Sequence, residues 1–283
     1  MQIAHVVEQQ RLLENPRSRR RRRARTVRFR PARPAASDQL RLGRMFQEFA
    51  RETQAQVERL IFPILRRWEP EFLIDAMRTT DDLSDELTAA FDEIRVSHLA
   101  LARQRSEGLA LELTGRANRR NRERFYRSVE NAVGIDLSAV AEESGLVQVL
   151  TLKTKENVDL IQSIPDEYLG KVQRIVYENV IQGRKSSQSM MKELKMLGDI
   201  TDARARFIAR DQTAKLTAAL NRERNQALGI EQYIWRTSKD ASVRKTHREN
   251  AGKKFRFDDP PAKTGNPGED YQCRCWAEPV ITL

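Results

Sequence analysis

Apolar residues recur along most of this chain at spacings of three, four and seven, the pattern of helices that bury one face. The first such run holds Leu40, Met45, Phe46, Phe49, Val57, Leu60, Ile61, Ile64 and Leu65, with Ser37 or Asp38 placed to cap its start. Pro63 and the Glu69-Pro70 step are expected to kink or break it. Asp81, Asp82 and Asp85 then suit the positive end of a second helix, running through Leu87, Phe91, Ile94 and His98 to about Leu113. His98, alone in this run, reads as a surface or packing residue rather than a ligand. Residues 115–127 are basic and helical in pattern, and Gly134 and Gly145 divide the next segment into short pieces.

Beyond residue 150 the spacing predicts a short helix over 157–163, and another whose first turn holds Pro165. Val172, Ile175, Val176 and Val180 form its buried stripe, and Gly183 ends it. Residues 186–197 form the next helix, stopped by Gly198. Thr201 and Asp202 cap a long helix over 203–228, with Ala209, Leu216, Leu220 and Ala227 on one face.

The period then changes. Tyr233, Trp235 and Thr237 alternate with Gln232, Ile234 and Arg236, which predicts a half-buried strand. Thr237 to Asp240 fits a capping box opening a short helix, on which Asp240, Arg244 and His247 share a face. Residues 253–257 read as a second strand. Extended backbone at Cys273-Arg274-Cys275 aims both thiols to one side and Arg274 to the other. The expected fold is therefore mainly α with a small α+β C-terminal domain and an extended helical N-terminal half. Its divisions are an arginine-rich arm (1–37), a helical docking region (38–150), a second helical part (151–230) and a small α+β module (231–283).

Charge sharpens this picture at the N-terminus. Of the formal +11, ten units come from Arg17, Arg19, Arg20, Arg21, Arg22, Arg23, Arg25, Arg28, Arg30 and Arg33, a stretch without acidic residues, which leaves about +1 elsewhere. Such a run repels itself and is expected to stay unfolded until a polyanion neutralises it. Double-stranded DNA, bound through phosphates without base preference, is the favoured partner. The alternatives are an acidic protein surface or a solvated tail. With 32% charged residues and a mean hydropathy of −0.67, a single dense core is excluded. No apolar run reaches the roughly 18 residues a membrane helix needs, so a soluble protein made in a cytoplasm is expected.

Two readings of the C-terminal chemistry stand side by side. His247, Cys273 and Cys275 are three soft donors suited to a structural zinc, with Asp240 or Asp270 as a fourth. Alternatively the thiols pack as small apolar groups under Trp235 and Trp276 while His247 pairs with Asp240. An enzyme reading, a metal-dependent nuclease acting on DNA through His247, lacks a carboxylate cluster, a phosphate loop or a nucleophile triad to support it.

The ordered set Ile208-Ala209-Arg210-Asp211, Tyr233, Trp235, Arg236, Thr237, Asp240, Val243, Arg244, His247, Gly252, Phe255, Pro267-Gly268-Glu269-Asp270 and Cys273-Arg274-Cys275 resembles the C-terminal domain of the phage Mu F-like minor head proteins, also called phage head morphogenesis proteins. The likeness covers about half of the chain. Where some relatives carry an extra cysteine pair, this chain has Val243-Arg244 and His247; where they carry a histidine before the last cysteines, it has Gly268-Glu269-Asp270. The resemblance implies a late, non-catalytic component of a tailed-phage virion head, assembled in the host cytoplasm. The implied partners are the portal protein, major capsid or scaffold proteins, and DNA, but no membrane.

Overall fold

Long amphipathic stripes carry most of this chain into helices, and the computed structural model describes residues 3–14, 25–67, 79–139, 145–182 and 186–282. In order they form α1 (Ile3–Glu14), β1 (Thr26–Arg28), α2 (Ala36–Arg67), α3 (Thr79–Glu93), a π-helical turn (Ile94–Leu99), α4 (Ala100–Val133), α5 (Leu146–Gln182), α6 (Ser187–Ala227), β2 (Gln232–Arg236), α7 (Lys245–Asn250), β3 (Lys254–Arg256) and β4 (Trp276–Thr282). The fold is mainly α with a small α+β part built around the C-terminus. The chain groups into two compact units: residues 1–38, 113–153 and 210–283 in one, and 39–112 and 154–209 in the other.

In the second unit Val57, Ile61, Phe62, Ile64 and Leu65 of α2 meet Leu87 and Phe91 of α3, Tyr168, Leu169, Val172 and Val176 of α5, and Met190 and Leu194 of α6. This burial overrides three expected breaks. Pro63 lies inside α2 rather than ending it. It sits on the solvent side, as does Arg59, whose carbonyl loses its usual helical donor to the proline and faces water. An interior proline costs about 3 kcal/mol, whereas each buried apolar side chain beside it stabilises by about 1.5–3 kcal/mol. Pro165 likewise lies inside a continuous α5, between buried Ile164 and Tyr168, so the expected helix boundary before it does not exist. Gly198 does not stop α6. It instead makes room for the side chain of Gln54, which occupies the space a Cβ would take. The Glu69-Pro70 step and Gly183 fall outside the described residues. His98, in the π-helical turn, is half-buried and bonds Thr53 Oγ1 at 3.0 Å, the packing role expected of it.

In the first unit the sheet runs β1-β4-β2-β3, every pairing antiparallel. Val27 faces Ile281 across the β1–β4 register. The arginine segment is therefore not an unfolded arm from Thr26 onward. Val27, Phe29, Ala32 and Ala35 are buried, and Val27 and Phe29 join a core with Phe125, Tyr126, Val129 and Leu228. Phe29 meets Phe125 edge to face at 5.6 Å. The exposed arginines between these positions reach solvent, so their mutual repulsion does not oppose the burial. Asn221 Nδ2 donates to the Ala32 carbonyl at 2.8 Å, which ties this segment to α6. One turn along α6, the fully buried Arg224 donates to the side-chain carbonyls of Asn121 and Asn118.

Candidate metal centre

The region after α6 is short of apolar mass and rich in turns. Its core is Tyr233, Trp235, Val243, Phe257, Cys273 and Cys275, so the two thiols occupy its middle. β2 supplies Tyr233 and Trp235, while α7 carries His247. Residues 257–275, between β3 and β4, contain no helix or strand and bring both cysteines back against α7. Gly252, at φ +80°, makes the tight return from α7 to β3, its N–H donating to the Trp235 carbonyl at 2.9 Å.

His247, Cys273 and Cys275 are buried, at 2%, 6% and 9% exposure, and their donor atoms lie within 4.8 Å of one another. The distance from His247 Nδ1 to Cys273 Sγ is 3.5 Å and to Cys275 Sγ 3.4 Å. The other ring nitrogen, Nε2, lies 3.1 Å from Asp270 Oδ2. Trp235 stands edge to face with the imidazole at 5.4 Å. The sequence thus identifies the three residues that converge here, and alternation of Cys273 and Cys275 inward with Arg274 outward holds, although these residues form no strand.

Several expectations are corrected. His247 pairs with Asp270, not Asp240. The helix begins at Lys245, so Asp240 lies before it and shares no helical face with Arg244 and His247; no capping box opens at Thr237. Asp240 instead accepts the Ser242 N–H at 3.0 Å and Arg274 Nη2 at 2.6 Å, and a hydrogen bond from Ser238 leads the interactions that lower its pKa. Neither carboxylate is a fourth donor beside the sulfurs: Asp270 holds the far nitrogen of the ring, and Asp240 is engaged with Arg274.

The loop owes its shape to polar contacts. Asp270 Oδ2 also takes Arg244 Nη1 at 3.1 Å, and Arg244 Nη2 donates to the Tyr271 carbonyl at 2.6 Å. Gln272 adopts φ +53°, unusual for a residue with a Cβ. Its N–H donates at 2.6 Å to Asp211 Oδ1, a buried carboxylate that also pairs with Lys215. Asp211 thereby fixes the turn that swings Cys273 and Cys275 inward. The sequence motif contains Asp211 but assigns it no role. Gly268, at φ +95°, packs where a Cβ would lie 2.5 Å from Ala218 Cβ.

Electrostatically the thiols act as one group. A hydrogen bond from Cys275 pulls the Cys273 pKa down against its burial, helped by the backbone N–H groups of Cys275 and Gly268 and by the His247 ring. The same sharing and burial push Cys275 up.

The arginines predicted to bind DNA divide. Arg17 and Arg19 to Arg23 lie outside the described residues. Arg25, Arg28, Arg30 and Arg33 are exposed, and the guanidinium groups of Arg30 and Arg33 lie over the Trp276 ring at 5.2 and 5.5 Å. Arg119, Arg124 and Arg127 are also exposed on α4. The first unit holds 32 Lys and Arg against 18 Asp and Glu, a net +14; the second holds 19 against 22, a net −3. The basic excess is thus wider than the single arginine run. Among the described residues no helix is long and apolar enough to cross a membrane.

Comparison with known proteins agrees with the motif. An uncharacterized protein of Haemophilus influenzae is 31% identical over 261 residues, 92% of this chain; the chain spans 57% of that relative's length. No solved structure matches. Residues 170–278, which take in α6, most of the sheet module and all three donors, match the family model described as Phage Mu protein F like protein. The C-terminal part of this chain, residues 170–278, is thus similar to the phage Mu F-like family.

Proposed function

We propose that this protein is a non-catalytic minor head protein of a tailed bacteriophage, which associates with the portal and binds double-stranded DNA without sequence preference during head assembly, packaging or genome delivery. The match of residues 170–278 to the phage Mu F-like family carries the head-morphogenesis reading. The concentration of charge in the unit that holds the sheet module, +14 against −3, supports DNA as the partner. A net positive unit recruits duplex by releasing counterions from phosphates, a term indifferent to base sequence. The engaged nitrogens and burial of His247 favour a structural rather than a hydrolytic role for the centre.

Two measurements test this. Co-expression with the portal protein of the same phage should give a complex that survives co-purification. Replacing Arg17 and Arg19 to Arg23 with Gln should flatten the dependence of log affinity on log salt by up to about 5 units, at about 0.9 for each phosphate no longer neutralised. An unchanged slope would remove the arginine run from the interface, and strong discrimination between duplexes of unrelated sequence would refute phosphate-driven binding.

A further inference from the structure

Two sulfurs converge on a single nitrogen at the spacing that a shared metal would set. His247 Nε2 faces a carboxylate, which accepts only, so Nε2 carries the ring proton and Nδ1 presents one lone pair. Both Cys273 Sγ and Cys275 Sγ lie close to that lone pair, at 3.5 and 3.4 Å. A tetrahedral zinc with Zn–S of about 2.3 Å and Zn–N of about 2.0–2.1 Å separates sulfur from nitrogen by about 3.5 Å. The two distances match that edge.

The surroundings are those of metal thiolates. The Cys275 N–H points at Cys273 Sγ at 3.4 Å, and the Gly268 N–H reaches the same sulfur. Trp235 Nε1–H is buried without a hydrogen bond of ordinary geometry, yet lies close enough to Cys275 to favour its ionised form. Asp270 on the far nitrogen completes a carboxylate–histidine arrangement that fixes the ring and raises its basicity toward a metal. Arg244 in turn holds Asp270. A small core threaded by a long coil gains from such a staple.

We propose that His247 Nδ1, Cys273 Sγ and Cys275 Sγ bind one Zn2+, and that the ion fastens the loop before β4 to α7. Two thiolates and an imidazole select zinc over harder cations. Binding sends the protons of the two thiols to solvent. Asp270 is a positioning residue, acting through the ring.

The test uses the full chain purified without chelator. Elemental analysis should find about one zinc per chain. Exchange into cobalt should give a thiolate-to-metal charge-transfer band, which Cys273→Ser and Cys275→Ser each abolish. Those variants disturb a core, so Asp270→Asn is the sharper probe: its carboxylate is partly exposed, and the variant should keep the fold and the band while weakening metal affinity about 10–100-fold in a chelator competition. Less than about half an equivalent of zinc together with no cobalt band in the unmodified chain overturns the proposal, as does an Asp270→Asn affinity equal to that of the parent. None of these readouts depends on DNA or portal binding.

Discussion

Arg224 shows how a single side chain is specified by its surroundings. It is fully buried in the first unit, and its guanidinium donates to two asparagine carbonyls on α4. Arg224→Met keeps most of the volume but strands the buried Asn121 oxygen and removes the donor to half-buried Asn118. Charge-assisted hydrogen bonds contribute about 1.5–3 kcal/mol each, so a loss of about 3 kcal/mol is expected, read as a lower midpoint in urea unfolding. A change below about 0.5 kcal/mol would mean that the asparagines find other donors. At this scale the sequence is partly legible. Cys-x-Cys alternation and the soft character of His247 follow from residue type and spacing alone. The partner of His247 does not: Asp240 and Asp270 are equally suited by chemistry, and only the turn at Gln272, set by Asp211 some sixty residues earlier, decides for Asp270.

Elements are legible where one physical term dominates. The α2 stripe appears except at exposed Leu40, and β2 forms, although Ile234 is buried along with Tyr233 and Trp235 and Thr237 lies beyond its end. Local rules fail where distant burial outweighs them, as at Pro63, Pro165 and Gly198, all inside helices. β1 is the clearest case. It lies in an arginine-rich stretch, but Val27 and Phe29 have the period of a strand whose partner is far along the chain, invisible to any local window. Phe29→Ala should therefore cost about 3 kcal/mol, in line with emptied aromatic core sites. An unfolded arm would show no change in thermal midpoint.

For the molecule as a whole, charge is partitioned between units, +14 in one and −3 in the other. DNA should accordingly protect arginines of the first unit, including Arg25, Arg28, Arg119, Arg124 and Arg127, from dicarbonyl modification, and leave Arg59, Arg66 and Arg67 of the second as reactive as before. Equal protection in both units would contradict a localised interface. Composition reveals the arginine run, but the wider asymmetry emerges only when residues far apart in the chain are grouped by fold.

The pairing of β1 with β4 also governs how the module is made and handled. Residues 26–28 are made about 250 residues before residues 280–282, so this edge of the sheet closes only once the later strand has emerged, and the early strand must wait through the synthesis of everything between. A fragment begun at the region shared with the phage family would lack the early strand and present β4 as a naked hydrogen-bonding edge, inviting self-association between copies.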